Sequence, residues 1–200
     1  HPSIVVGIID STGKREFFAY GQTDYITGNK VDENTVFEIG SITKVFTSLL
    51  LADMVAKGQI NLDDPVQKYM PSDVKLPIKD GEVIRLKHLA THSSGLTRMP
   101  DNIVLDNDNP YKDYGVEQMY AFLKDVKLAS KPGEKFNYSN LATGLLGHIL
   151  AKKSGHTYRY LLEDRIINVL GLKSTTIDLN EDLAARMAKG HMEKEAVSNW

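Results

Sequence analysis

In Val36-Phe37-Glu38-Ile39-Gly40-Ser41-Ile42-Thr43-Lys44 a short apolar run meets the start of a long helical pattern. Ser41 and Lys44 stand three residues apart at that start, so they fall on one helix face about one turn from each other. The lysine amine can take or hold the serine's proton. The positive end of a helix macrodipole also favours negative charge developing on the serine oxygen. Together these features make an activated nucleophile within one turn of chain. Taken alone, the pair also fits a plainer description: a serine capping a helix and a lysine reaching along its side to water.

Working outward, the helical pattern runs from Ser41 to Lys57, and Gly58 suits the position just past a helix end. Its apolar residues (Val45, Phe46, Leu49, Leu50, Leu51, Met54 and Val55) wrap nearly all round the axis, which predicts a helix buried in a core. Upstream, Ile4 to Ile9 is rich in β-branched residues, Asp10-Ser11-Thr12-Gly13 supplies turn chemistry, and Glu16 to Tyr20 resumes an extended pattern. This predicts a β-hairpin. Downstream, Asn61-Leu62-Asp63-Asp64-Pro65 introduces a short helix with the proline in its first turn. Further helices are predicted near Leu86–Thr91, Val116–Val126, Ser139–Lys153 and Tyr158–Val169, and the longest loop runs from Thr97 to Tyr114. The chain thus reads as two strands followed by a mainly helical remainder. Two strands do not make a stable sheet alone, so something further has to pair with or cover them.

The bulk properties narrow the field. Two hundred residues suffice for one large domain or two small ones with a sizeable core. An apolar fraction of 42% and a charged fraction of 25% are ordinary for a soluble globular protein. A net charge of −2 points to neither a nucleic acid nor an anionic membrane as partner. The absence of cysteine rules out a disulfide framework, a thiolate metal site and a cysteine nucleophile in this chain. No apolar stretch reaches the length of a membrane span. A start at His1-Pro2 fits a processed or trimmed product, including one that has lost a signal peptide.

Metal and cofactor sites find little support. His88 and His92 have the i, i+4 spacing of zinc ligands, but Leu89 stands where H-E-x-x-H requires glutamate. Asp106-Asn107-Asp108-Asn109 lacks the glycine and terminal glutamate of a calcium loop. No metal and no cofactor are expected. The chain has no G-x-S-x-G elbow, which disfavours an α/β-hydrolase.

A second chemical element is Tyr138-Ser139-Asn140, which follows Lys131-Pro132-Gly133-Glu134 and opens a helix. A tyrosine hydroxyl ordinarily ionises near pH ~10, too high for a base at neutral pH. Beside a lysine ammonium its phenolate is favoured and it becomes a proton shuttle. Asn140, two residues on along an extended segment, points to the same side and can hydrogen-bond both the lysine and a substrate amide.

Ser41-x-x-Lys44 together with Tyr138-x-Asn140 resembles the penicillin-recognising serine hydrolases, in their class C β-lactamase-like branch. Phe37 to Lys44 looks like that branch's nucleophile segment, and Gly58 to Pro65 like its "G-x-I-x-L-D-D-P" stretch. Ile84-Arg85-Leu86-Lys87-His88-Leu89-Ala90-Thr91-His92-Ser93-Ser94-Gly95-Leu96 looks like "I-T-L-x-H-L-L-T-H-T-S-G-L", a scaffold segment. Pro132-Gly133 through Asn140 and then Gly171-Leu172 follow in the same order.

The resemblance implies an α/β (α+β) fold of β-lactamase/transpeptidase type: an antiparallel sheet flanked by helices plus an all-helical subdomain. Residues 1–61 would hold the hairpin and nucleophile helix, 62–170 the mainly helical subdomain, and 171–200 a return segment toward further sheet strands. It implies Ser41 as nucleophile, Lys44 and Tyr138 as proton handlers, and Asn140 as a ligand for lysine and substrate. The implied substrate is a β-lactam, an ester or a D-amino-acid peptide, and the implied location is periplasmic or secreted. A carboxylesterase or D-aminopeptidase on the same scaffold, or a penicillin-binding chain that does not hydrolyse, is the alternative.

The family's third motif is Lys or His, a small residue, then Gly, on a strand well beyond the tyrosine. Lys153-Ser154-Gly155 matches in letters but follows Asn140 closely and ends a helical pattern, so its glycine reads as a helix C-cap. The chain therefore resembles the N-terminal part of such an enzyme, with the C-terminal strands missing and a complementary C-terminal segment as an expected partner.

Overall fold

The structure is a computed structural model, and it describes residues 2–26, 28–103, 111–192 and 195–197. The Asp106–Asn109 run lies outside these residues. Strands β1 (Ser3–Ile9) and β2 (Arg15–Gly21) form the hairpin read from the β-branched run, with Ile4 opposite Tyr20 and Val6 opposite Phe18. Its turn is held by the Asp10 carboxylate, which accepts from the amides of Thr12 and Lys14.

Described residues fall into two compact units: those up to Gly40 with those from Ser174 onward, and those between Ser41 and Lys173. In the first, Val36 pairs with Met187 in a parallel bridge, giving and receiving backbone hydrogen bonds with Arg186 and Ala188. A short helix, Glu181–Ala185, is capped by the Asn180 side chain, and a second small antiparallel ladder joins His191–Met192 to Glu195–Ala196. The sequence reading had only two strands. Strands of two residues are too short to show an alternating pattern, so the second ladder left no signal.

The second unit is built around α4, numbered after α1 (Thr43–Ala56), α2 (Leu86–Ala90) and α3 (Val116–Asp125). Helix α4 (Asn140–Ser154) packs against α1, α2 and α5 (Tyr158–Leu162). It buries Leu145, Leu146, Ile149 and Leu150 completely. Each such side chain contributes about 1.5–3 kcal/mol by leaving water. Gly147 sits where α1, α4 and α5 converge: a Cβ there would lie 3.2 Å from the Tyr158 ring, whose hydroxyl hydrogen-bonds Thr47 at 2.6 Å. Gly155 ends α4 at φ 75, a left-handed conformation that a side chain disfavours, so Lys153-Ser154-Gly155 is a helix C-terminus.

Helix α1 differs from its prediction. It buries Thr47, Leu50, Leu51 and Met54, while Val45 is 64% and Leu49 44% exposed. Apolar content all round an axis does not ensure a partner on every side: here the helix packs through one stripe, and the Val45–Leu49 edge stays open within this unit. The Tyr158–Val169 helix also departs from regularity. After α5 the chain widens into a π-helical turn over Glu163–Ile167, with the Asn168 amide bonded to Glu163 O.

Candidate active site

Gly40 takes φ 50, and the chain makes one 3-10 turn, Gly40–Ile42, before entering α1. Ser41 therefore lies in that turn rather than in the α-helix, which begins two residues later than its predicted start. The spacing still brings the pair together: the Lys44 ammonium donates to Ser41 Oγ at 3.2 Å. The Tyr138 hydroxyl donates to the same oxygen at 2.6 Å, across 97 residues of sequence.

Tyr138 is held by what precedes α4. Ser139 is fully buried and caps the helix, its Oγ accepting from the Ala142 amide at 2.9 Å and donating to Thr97 O at 2.6 Å. The segment after α2 is stitched to the segment before α4: Asn137 N–H donates to His92 O, the Asn137 amide group to Leu96 O, and Asn140 N–H to Arg98 O. A hydrogen bond with Lys44, then the one with Ser41, together with the Lys44 and Arg98 charges, holds the Tyr138 phenol below the usual tyrosine value. Lys44 Nζ lies 4.8 Å and Arg98 Cζ 5.1 Å from the centre of its ring.

Asn140 behaves differently from its expectation. It begins α4 instead of continuing an extended segment, so its side chain turns to Met99, donating to Sδ at 3.2 Å. Among the described residues its Oδ1 is buried without a hydrogen-bond partner, and it makes no bond with Lys44. A buried acceptor left open calls for a donor that these residues do not supply. A cavity of about 320 Å³ opens next to it, with walls from Met99, Ile103, Tyr114, Met119 and Gly144. Gly144, one turn beyond Asn140, has none of the described residues within 4 Å of where a Cβ would stand. His148, a further turn along, also lines the cavity and hydrogen-bonds Tyr120 Oη at 2.6 Å.

His92, in the segment the resemblance gives as scaffold, and Arg98, in the loop that follows it, both stand at the tyrosine. The His92 ring lies 4.5 Å from the Tyr138 ring, tilted by 36°. Their proximity to Tyr138 had no local sequence signal, because it depends on how two distant segments meet. His88 is buried with Nδ1 accepting from the Arg85 amide, and among the described residues no group of histidines and carboxylates could hold a metal ion.

The family model described as Beta-lactamase matches residues 1–199. The chain belongs to the beta-lactamase family. It is 35% identical over 182 residues to the D-alanyl-D-alanine-carboxypeptidase/endopeptidase AmpH of Escherichia coli K12, covering 90% of this chain and 46% of that protein. The crystal structure of a beta-lactamase/D-alanine carboxypeptidase from Yersinia pestis superposes with a TM-score of 0.84 at 30% identity, over 93% of this chain and 52% of that one. A class C beta-lactamase structure from Rhodobacter sphaeroides gives 0.81 at 32% identity, over 98% and 52%. The fold is thus the β-lactamase fold, and the chain spans about half the length of these relatives.

Proposed function

We propose that this beta-lactamase family chain carries the nucleophilic part of a serine hydrolase that forms an acyl-enzyme on a β-lactam or a D-alanyl peptide. The observation that carries the proposal is the convergence of Tyr138 Oη and Lys44 Nζ on Ser41 Oγ at 2.6 and 3.2 Å. In its ionised form Tyr138 takes the Ser41 proton as Oγ bonds to the substrate carbonyl carbon. Lys44 and Arg98 stabilise that phenolate by their charge. The tetrahedral oxygen is received by the Ser41 backbone N–H, a kind of contact whose loss raises a barrier by about 3 kcal/mol. On collapse the C–N bond breaks and Tyr138 returns the proton to the departing nitrogen. Water then attacks the ester, giving its proton back through Tyr138 to Ser41.

Asn140 Oδ1 supplies the acceptor for a substrate amide N–H. The adjoining cavity, walled by Met99, Ile103 and Met119, receives an apolar side chain on the acyl group. The relatives named for carboxypeptidase and for β-lactamase activity support both substrate classes equally. Among the described residues no helix is long and apolar enough to cross a membrane.

Incubation with a fluorescent penicillin, followed over time by intact mass, separates the outcomes. Rapid turnover identifies a β-lactamase, and a persistent adduct identifies a D,D-peptidase. No adduct together with cleavage of a short-chain nitrophenyl ester moves the activity to an esterase. Activity unchanged in Ser41→Ala removes Ser41 from the mechanism.

A further inference from the structure

We infer that His92 is a positioning residue for Tyr138, holding the proton-carrying corner in place only while its imidazole is neutral with Nδ1 unprotonated. The inference rests on the role of Tyr138 proposed above. His92 grips both chain neighbours of the tyrosine: its carbonyl accepts from the Asn137 amide at 2.7 Å, and its Nδ1 accepts from the Ser139 amide at 3.2 Å. Its ring covers the Tyr138 ring at 4.5 Å, with Phe136 edge-on behind it at 5.7 Å. To make these contacts His92 adopts φ 55, uncommon for a residue with a Cβ. A backbone in that region persists where its surroundings hold it, and such positions cluster at functional sites.

The bond from Ser139 fixes the chemistry. An imidazole nitrogen accepts an amide N–H only when it carries no proton of its own, so the ring is the Nε2–H tautomer. Protonation would turn Nδ1 into a donor facing a donor. It would also set a positive ring among groups already positive. Those facing the His92–Tyr138 pair are Lys44 from α1 and Arg98 from the segment of His92 itself, with Tyr138 the titratable group between them. His88, one turn earlier on the chain, is engaged with the Arg85 amide. Burial first, and the Lys44 ammonium second, hold the His92 pKa below 6.5, which keeps the ring neutral at pH 7. As pH falls through that lowered value, Ser139 loses its acceptor and Tyr138 is released from its place against Ser41.

Two measurements on the intact protein test this without requiring hydrolysis. Nitrogen-15 spectra of labelled histidine should show His92 as the Nε2–H tautomer at pH 7.5, charging below 6.5. Ultraviolet titration of Tyr138, isolated by difference from Tyr138→Phe, should give an ionisation below 10. It should stay there in His92→Asn, because asparagine tolerates positive φ and offers an acceptor. His92→Leu should move it up toward 10. An Nδ1–H tautomer overturns the inference whether or not the leucine variant folds. So does a Tyr138 titration in His92→Leu identical to wild type with native circular dichroism. If both readouts hold while Ser41 takes no acyl group from any probe, the hydrolase reading fails and the positioning role stands.

Discussion

Replacing Ser139 with alanine removes one oxygen that serves two partners. Its hydroxyl caps α4 by accepting from the Ala142 amide, and it donates to the carbonyl of Thr97, all without exposure to water. Loss of a serine N-cap destabilises by about 1 kcal/mol. Leaving the Thr97 carbonyl buried without its donor adds about 1–3 kcal/mol. The sum, about 2–4 kcal/mol, is ~30- to 700-fold in the folding equilibrium. Urea unfolding followed by circular dichroism reads it as a lower midpoint with unchanged slope. Because the same hydroxyl ties the Tyr138–Asn140 turn to the segment after α2, acylation should fall by more than the folded fraction explains. A loss of stability under about 0.5 kcal/mol, the scatter of ordinary surface changes, would refute the account of how Tyr138 is held.

Other consequences are as specific. Gly144→Leu projects into the open cavity, so stability should hold or rise by the ~0.5–1 kcal/mol that relieving a helical glycine brings. Acylation by substrates with bulky apolar side chains should fall while small ones are unaffected, as competition kinetics would reveal. Gly147→Val, three residues further along α4, pushes into Tyr158 and should destabilise by about 1–3 kcal/mol even though valine forms helix somewhat better than glycine. Lys44→Met removes the cation that most favours the Tyr138 phenolate, so its ionisation, read by ultraviolet difference, should rise toward 10. Asp64 is held down to about 2 by hydrogen bonds from Tyr69 and then Lys68. A carboxyl lowered on folding stabilises above its ordinary 3.8, and that stability is lost as pH falls from there through about 2. Acid unfolding of Tyr69→Phe should lack part of this loss.

Local chemistry was legible and long-range pairing was not. The hairpin followed from β-branched runs around Asp10–Gly13, and α4 from its apolar spacing and the glycine that ends it. The Ser41–Lys44 contact followed from helical spacing even though Ser41 lies in a 3-10 turn, because a pair three residues apart remains neighbouring in either geometry. The resemblance singled out Tyr138, and the described residues place its hydroxyl on Ser41. Asn140 was misread locally: the extended segment ends one residue too soon, at the Ser139 cap, so its side chain turns to Met99. The place of His92 and Arg98 at Tyr138 escaped notice because each meets the tyrosine through backbone bonds or ring faces between distant segments. The open edge of α1 escaped for a related reason, since an apolar pattern records which residues avoid water but not which have found a neighbour.

The central claim is that Ser41 is the acylated nucleophile, primed by Tyr138 and Lys44. Its most direct test is to quench the protein after exposure to a penicillin, digest it, and locate the added mass by fragmentation. The account predicts the penicilloyl group on Ser41, with labelling abolished in Ser41→Ala and slowed in Tyr138→Phe. A label on any other residue, or undiminished labelling of Ser41→Ala, would contradict it.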